Sequence, residues 1–386
     1  MNIAYIMRYW PVYGGGETIT VTLANELVRR GHSVHVIYTY DQSCSPMPYN
    51  IDNRIVSYKV HTIEHYTKKD VKELHDYITR HAIEVMVNQW GCTELCDKAR
   101  HGTTCKLVTC WHLDVIRKFD KPIGWKKKLI FFLMGERLYQ RYVGLCQMRE
   151  HDKNCRLSDK YVFLSDSFLT EYVGLSHMKG RTEKVAAIAN PLTYDYRYDM
   201  SDYGFKEKEV LYVGRIYEYH KRLSYVLKIW SKIESMSSCR EWRLTIVGDG
   251  PDMQQTKSLA EKLRLQRVSF EGFKDPRPYY QRASLFMMTS AFEGFGMTLV
   301  EAQQYGVVPL AMDTYGSLHD IIADGQNGEI IADNDLDEYA RKLRVLMENS
   351  EKRKQMAMNG MESCLNFSLP VICGKWERLF SQIIKS

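Results

Sequence analysis

A chain of 386 residues that is 45% hydrophobic and 26% charged has the length of two ordinary domains and the composition of a soluble globular protein. Its 53 basic and 47 acidic residues leave a formal charge of +6, too mild to indicate a nucleic-acid partner, although a local basic patch can still matter. Ten cysteines occur without a CxxC pair, so neither a zinc ribbon nor a thioredoxin-like site is supported, and free buried thiols are expected.

The chain opens Met1-Asn2-Ile3-Ala4-Tyr5-Ile6-Met7-Arg8, without a charged n-region and a small-residue cleavage site. Strands are expected at 2–6 and 33–38, separated by a Gly-rich turn and a helix that ends before Gly31. Further strands are expected at 84–88, 106–109 and 160–164. Residues 190–209 break the periodicity with Pro191, Gly204 and four tyrosines, and read as a linker. Beyond it, apolar runs at 210–213, 243–247, 267–270, 284–289 and 307–311 alternate with helical patterns at 221–232, 252–263, 276–282 and 298–305. That order is the signature of parallel sheets with crossover helices. The expected organisation is a domain over 1–190, a linker over 191–209 and a domain over 210–368, with a last helix over 369–385 that holds Lys375-Trp376-Glu377. The fold class is α/β: two Rossmann-like doubly wound domains facing a central cleft, with ligands at the carboxyl ends of the strands. The longest apolar run, 129–135, is far short of the roughly 20 residues of a membrane span, and a cytoplasmic location is expected.

Several turns carry residues suited to chemistry. Tyr13-Gly14-Gly15-Gly16-Glu17 follows the first strand but lacks the spacing of the GxGxxG dinucleotide fingerprint. Trp111-His112-Leu113-Asp114 places a histidine at the carboxyl end of a strand, where it either serves a cleft or is satisfied by a backbone carbonyl. Gly214 and Arg215 follow another strand, and Lys221 opens the next helical stretch. An Arg and a Lys there either face water or stabilise negative charge on a leaving group. Arg222, next to them, reads as the solvated cation. In Ala291-Phe292-Glu293-Gly294-Phe295-Gly296-Met297, a glycine-rich turn leads into a helix. Glycines permit close approach of a ligand, and the helix start offers unpaired N–H groups to an anion. Glu293 precedes that helix and Glu301 lies on its second turn, so both can reach hydroxyls of one sugar nucleotide. Thr298-Leu299-Val300-Glu301 also fits a capping box, which would give Glu301 a purely structural task. Asp333, Asp335 and Asp337 alternate at a helix start, where capping is favoured over a metal site.

The segment 291–310 closely resembles the signature of the retaining glycosyltransferases of family 4, which have the GT-B fold. The similarity extends over 210–331 and, less closely, over 1–40 and 105–191. It implies that Arg215 and Lys221 hold the donor diphosphate and that Gly15, Gly16 and Gly214 approach it through the backbone. It further implies that Glu293 holds donor-sugar hydroxyls, with backbone groups of Gly294, Phe295, Gly296 and Met297 assisting. Glu301 would hold the ribose, Phe273 would lie near the base, and His112 would stand beside the donor sugar. The resemblance implies sugar transfer from a nucleotide donor, most often UDP-linked, to a glycan or lipid-linked acceptor in surface polysaccharide biosynthesis. Hexosyl or N-acetylhexosaminyl groups, no metal and no cofactor beyond the donor are expected, and the last helix commonly returns to the first domain. The alternatives are a nucleotide-linked dehydrogenase or epimerase, or a non-catalytic membrane-surface binding protein on the same scaffold.

Residues 116–150 hold nine basic residues (Arg117, Lys118, Lys121, Lys126, Lys127, Lys128, Arg137, Arg141, Arg149) against Asp120, Glu136 and Glu150. Trp125, Leu129, Ile130, Phe131, Phe132, Leu133 and Met134 are interleaved. A segment of this kind either lies on an anionic membrane surface or packs its apolar side into the core.

Overall fold

The structure is a computed structural model that describes residues 1–11, 15–41, 50–116, 125–176 and 182–386, without side chains for 15 and 125–130. Two units result: Met1–Thr193 joined by Leu369–Ser386, and Tyr194–Ser368. The first runs β1 (Asn2–Tyr9), α1 (Gly15–Arg29), β2 (Ser33–Tyr40), β3 (Val56–Lys59), α2 (Lys68–Arg80), β4 (Val85–Asn88), α3 (Thr93–Arg100), β5 (Lys106–Trp111), α4 (Trp125–Leu157), β6 (Lys160–Phe163), α5 (Asp166–Leu175) and β7 (Val185–Ala187). Its parallel sheet has the order β3-β2-β1-β4-β5-β6-β7. Ile3, Ala4, Tyr5, Ile6 and Met7 are all buried, as a central parallel strand covered on both faces requires.

The second unit continues with β8 (Glu209–Val213), α6 (Glu218–Lys221), α7 (Leu223–Glu234), β9 (Arg243–Val247), α8 (Met253–Lys262), β10 (Val268–Gly272), α9 (Arg277–Arg282), β11 (Leu285–Met288), α10 (Met297–Gln304), β12 (Val308–Asp313), α11 (Leu318–Ile321), β13 (Glu329–Ala332), α12 (Leu336–Glu348) and α13 (Ser350–Ser363). Its parallel sheet has the order β10-β9-β8-β11-β12-β13. Helix α7 shows why the pattern folds this way. Leu223, Val226, Leu227, Trp230 and Ile233 recur at helical spacing, and all are buried. Truncating Trp230 to alanine would cost about 3–5 kcal/mol.

Residues 194–209, read from the sequence as the end of a linker, pack within the second unit, where Tyr198 and Tyr203 are buried. The helix expected over 221–232 is two helices, because Arg222 adopts a left-handed backbone with φ of 49°. The last helix, α14 (Leu369–Lys385), belongs to the first unit. Its Glu377 takes Arg30 Nη1 at 2.7 Å and His32 Nε2 at 2.9 Å, and its Trp376 is buried. The cysteines among the described residues are free, and most are buried.

Candidate functional site

In the second unit the strand order reverses between β8 and β11, whose chain neighbours β9 and β12 lie on opposite sides. A crevice forms where loops leave such adjacent parallel strands in opposite directions, and ligands of open α/β sheets bind there. The two segments concerned are 214–221, which ends in α6, and the loop 289–296. They are stitched together: Ala291 N donates to His220 O at 2.8 Å, and Thr289 Oγ1 donates to Lys221 O at 3.0 Å and Arg222 O at 3.1 Å. Arg222 completes the seam. It is not the solvated cation expected, because its side chain is only 14% exposed and donates to Thr289 O, Ser290 O and Asp333.

This stitching brings two predicted residues together. Lys221 Nζ donates to Glu293 Oε1, which also accepts from Ser290 Oγ at 2.6 Å. His220 Nε2 lies 3.8 Å from Glu293 Oε2 and donates to Phe292 O at 2.7 Å, with its ring stacked on Phe292 at 4.3 Å. Burial pushes the Glu293 carboxyl up, but the charges of Lys221 and His220 and the hydrogen bonds from Lys221 and Ser290 outweigh it and hold the pKa below its ordinary value. Glu293 is therefore a buried carboxylate that remains ionised at neutral pH. An ammonium has three donors, and Glu293 takes one of those on Lys221. Arg215, at the same edge, is exposed, with its guanidinium 5.6 Å from the Tyr217 ring centre, and it pairs with no carboxylate among the described residues.

Two glycines let the backbone close this edge. A Cβ on Gly248 would stand 1.9 Å from Gly214 O, so the β8 and β9 loops could not pass each other. Gly296 caps α10 with φ of 94°, and a Cβ there would stand 2.9 Å from Tyr315 Oη. Gly294 and Met297 flank that turn, partly accessible. Phe295 is buried with its ring 5.3 Å from Phe367, so its side chain belongs to the core and only its backbone can serve a ligand. With Gly296 as the cap, Glu301 stands too far along α10 for a capping box, and its Oε2 instead accepts from Tyr280 Oη at 3.1 Å. Phe273, after β10, is 68% exposed. Asp335 caps α12 by accepting from Glu338 N at 2.9 Å, while Asp333 and Asp337 pair with Arg222 and Lys232. No group of metal-ligating residues occurs among the described residues.

The first unit has its own switch point, between β1 and β4. Gly15 and Gly16 open α1 beside it, and Gln89, Trp90 and Gly91 follow β4. A Cβ on Gly16 would meet Trp90 Cζ2 at 3.2 Å. His112 follows β5 and stacks on Trp90 at 4.6 Å. Burial lowers the His112 pKa to about 4, and its buried Nε2 has no hydrogen-bond partner among the described residues. It is thus a neutral imidazole with an unused polar atom. The backbone-carbonyl satisfaction weighed from the sequence does not reach that nitrogen. Trp90 escaped the sequence analysis because a lone tryptophan after a strand carries no spacing signal. Ser165 caps α5, accepting from Phe168 N at 3.1 Å.

The chain is similar to known glycosyltransferases. Residues 200–363 match the family model described as glycosyl transferases, group 1. An uncharacterised glycosyltransferase of Haemophilus influenzae is 24% identical over 94% of this chain and 95% of its own length. The amylovoran biosynthesis glycosyltransferase AmsD of Erwinia amylovora is 25% identical over 72% of this chain and 70% of its own. Among solved structures, the lipopolysaccharide outer core galactosyltransferase WaaB superposes with a TM-score of 0.71 at 18% identity over 99% of this chain and 100% of its own. HepE from Anabaena, solved with UDP and glucose, gives 0.73 at 17% identity over the same shares. The chain carries the GT-B fold, and its second unit matches the group 1 glycosyltransferase family model.

Proposed function

We propose that the protein is a retaining, metal-independent glycosyltransferase. In this reading it moves a hexosyl or N-acetylhexosaminyl group from a UDP-linked donor to a glycan or lipid-linked acceptor in surface polysaccharide assembly. The observation that carries the reading is the Lys221–Glu293–Ser290 cluster at the β8/β11 switch point, beside the start of α10. The names of AmsD and WaaB support the pathway, and the UDP and glucose in HepE support the donor.

In this reading Arg215 and Lys221 face the donor diphosphate, and the α10 N–H groups near Gly296 and Met297 add partial positive charge. Glu293 fixes Lys221 and accepts from donor-sugar hydroxyls. As the bond from the anomeric carbon to the phosphate oxygen breaks, charge grows on the diphosphate. Cations held in place beforehand stabilise that state more than the ground state. The acceptor oxygen bonds to the anomeric carbon on the face the phosphate leaves, and its proton passes to a phosphate oxygen. The sugar is oxocarbenium-like in between. His112, neutral at pH 7, serves as a hydrogen-bonding partner rather than a cation. Proton NMR of the product formed from a panel of α-linked UDP-hexoses and UDP-N-acetylhexosamines tests this. An α-configured product, formed equally in EDTA, is expected; a β-product would refute retention, and loss of activity in EDTA would refute metal independence.

We also propose that α4 rests on an anionic membrane surface. Phe132 (84% exposed), Leu133, Leu138, Tyr142 and Leu145 are exposed along it beside Arg137, Arg141 and Arg149. The core-packing alternative leaves this run of exposed apolar side chains unexplained. Gly135, with φ of 71°, breaks the helix between Leu133 and Leu138. Arg117, Lys118, Lys121 and Asp120 lie outside the described residues, as do the side chains of Trp125, Lys126, Lys127, Lys128, Leu129 and Ile130. No helix among the described residues is long and apolar enough to cross a membrane, so the mode would be peripheral. Flotation with anionic liposomes, abolished by high salt, is expected; equal binding to neutral vesicles would refute it.

A further inference from the structure

The Glu301 carboxylate stands on α10 in the second unit and accepts from the hydroxyl of Tyr280 at 3.1 Å, between two buried side chains. Tyr280 comes from α9, a different element, and is fully buried. Its ring lies 5.6 Å from Tyr305 at an interplanar angle of 24° and 6.1 Å from Phe286. Its carbonyl takes Lys206 Nζ at 2.8 Å, and the same nitrogen donates to Tyr305 O at 2.7 Å. The backbone is held as well, by Tyr280 N donating to Pro276 O at 3.0 Å. Ring, carbonyl and amide are thus all fixed by groups other than Glu301, so the direction of the hydroxyl is set before any ligand arrives. Burial, first, and the nearby Glu301 charge push the phenol well above its ordinary pKa, so the group keeps its proton and donates.

A glutamate side chain has three rotatable bonds, and freezing it in one rotamer on ligand binding costs conformational entropy. A donor already in place at Oε2 removes most of that cost and fixes the plane of the carboxylate. We propose that Tyr280 is a positioning residue for the nucleotide: it orients Glu301 so that the carboxylate meets the two ribose hydroxyls of the donor. This rests on the reading of Glu301 as the ribose ligand. Tyr280 itself touches no substrate. Its effect reaches the nucleotide only through Glu301, and only through the 2′- and 3′-hydroxyls.

That restriction supplies the test. Calorimetric affinities for UDP and for 2′,3′-dideoxy-UDP are measured on the full chain as wild type, Tyr280→Phe, Glu301→Gln and the double variant, with the melting temperature of each recorded without nucleotide. Tyr280→Phe keeps the ring stack and removes only the oxygen. Expected is a roughly fivefold weaker affinity for UDP in Tyr280→Phe, the size of freezing one long side chain on binding. Dideoxy-UDP should change less than about twofold, and adding Tyr280→Phe to Glu301→Gln should cost no further UDP affinity. Wild-type UDP affinity in Tyr280→Phe, with Glu301→Gln still impaired for UDP alone, would overturn the role of Tyr280 and leave the ribose reading standing. Equal losses for both nucleotides in Tyr280→Phe would also overturn it, by showing a general structural defect. Glu301→Gln weakening both nucleotides equally would instead remove the ribose reading on which the inference rests.

Discussion

Glu293→Ala is the natural test of the site, and the sequence alone predicts lost turnover on an intact fold. The structure predicts a destabilised fold as well. Lys221 is 16% exposed at its side chain and Glu293 11%, and they pair directly while Ser290 Oγ donates to the same carboxylate oxygen. Removing the glutamate leaves a largely buried ammonium and a serine hydroxyl without that acceptor. Breaking a buried pair from one side costs about 3–5 kcal/mol. For a unit of this size each kcal/mol lowers the melting temperature by roughly 2–4 °C, so a fall on the order of 10 °C is expected. Differential scanning calorimetry without ligand measures it. Glu293→Gln keeps the shape and an acceptor oxygen, so it should lose most of its activity while melting within a few degrees of wild type. Lys221→Met combined with Glu293→Leu should regain more than half of the lost stability, because no charge is then left buried. The folded pKa of Glu293 lies below its ordinary 4.5. The stabilisation is therefore complete above that value and is lost as pH falls through the folded pKa, so wild type and Glu293→Gln should converge in strong acid. An alanine variant that melts within about 2 °C of wild type at pH 7 would refute the reasoning.

Gly248→Ala should unfold the second unit or lower its stability by more than about 3 kcal/mol, since its Cβ would stand 1.9 Å from Gly214 O; thermal melts decide it. His112 should show no NMR titration between pH 5.5 and 7.5, because burial lowers its pKa to about 4. The unfolded chain takes up that proton near 6.5 and the folded one does not, so the contribution of His112 to stability falls as pH drops from 6.5 towards 4. A midpoint near 6.5 in the folded protein would refute the burial argument. Arg222→Lys should cost about 2 kcal/mol and weaken the hold on the Thr289–Ser290 loop, because one ammonium cannot reproduce the fork that serves Thr289 O, Ser290 O and Asp333; wild-type melting would refute it.

What the chain alone determined is local. The alternation of apolar runs and helical patterns gave both Rossmann-like sheets, and the expected last helix, 369–385, coincides with Leu369–Lys385. The strands β3, at a sheet edge with Val56 and Lys59 exposed, and β7, of three residues, were not legible, because neither an exposed edge nor so short a run carries a burial period. The turns bearing Gly214, Glu293 and Gly296 were readable because strand–turn–helix chemistry is written in neighbouring residues. Only the tertiary structure decided partners. Lys221 and Glu293 are 72 residues apart, and Arg222, which the sequence reads as solvated, is buried by carbonyls 67 and 68 residues away. Tyr280 reaches Glu301 from another helix, and Trp90 reaches His112 from another strand. Spacing along a chain fixes which face of an element a side chain occupies. Which charge or ring stands opposite it depends on the order in which strands enter the sheet, and no local period encodes that order.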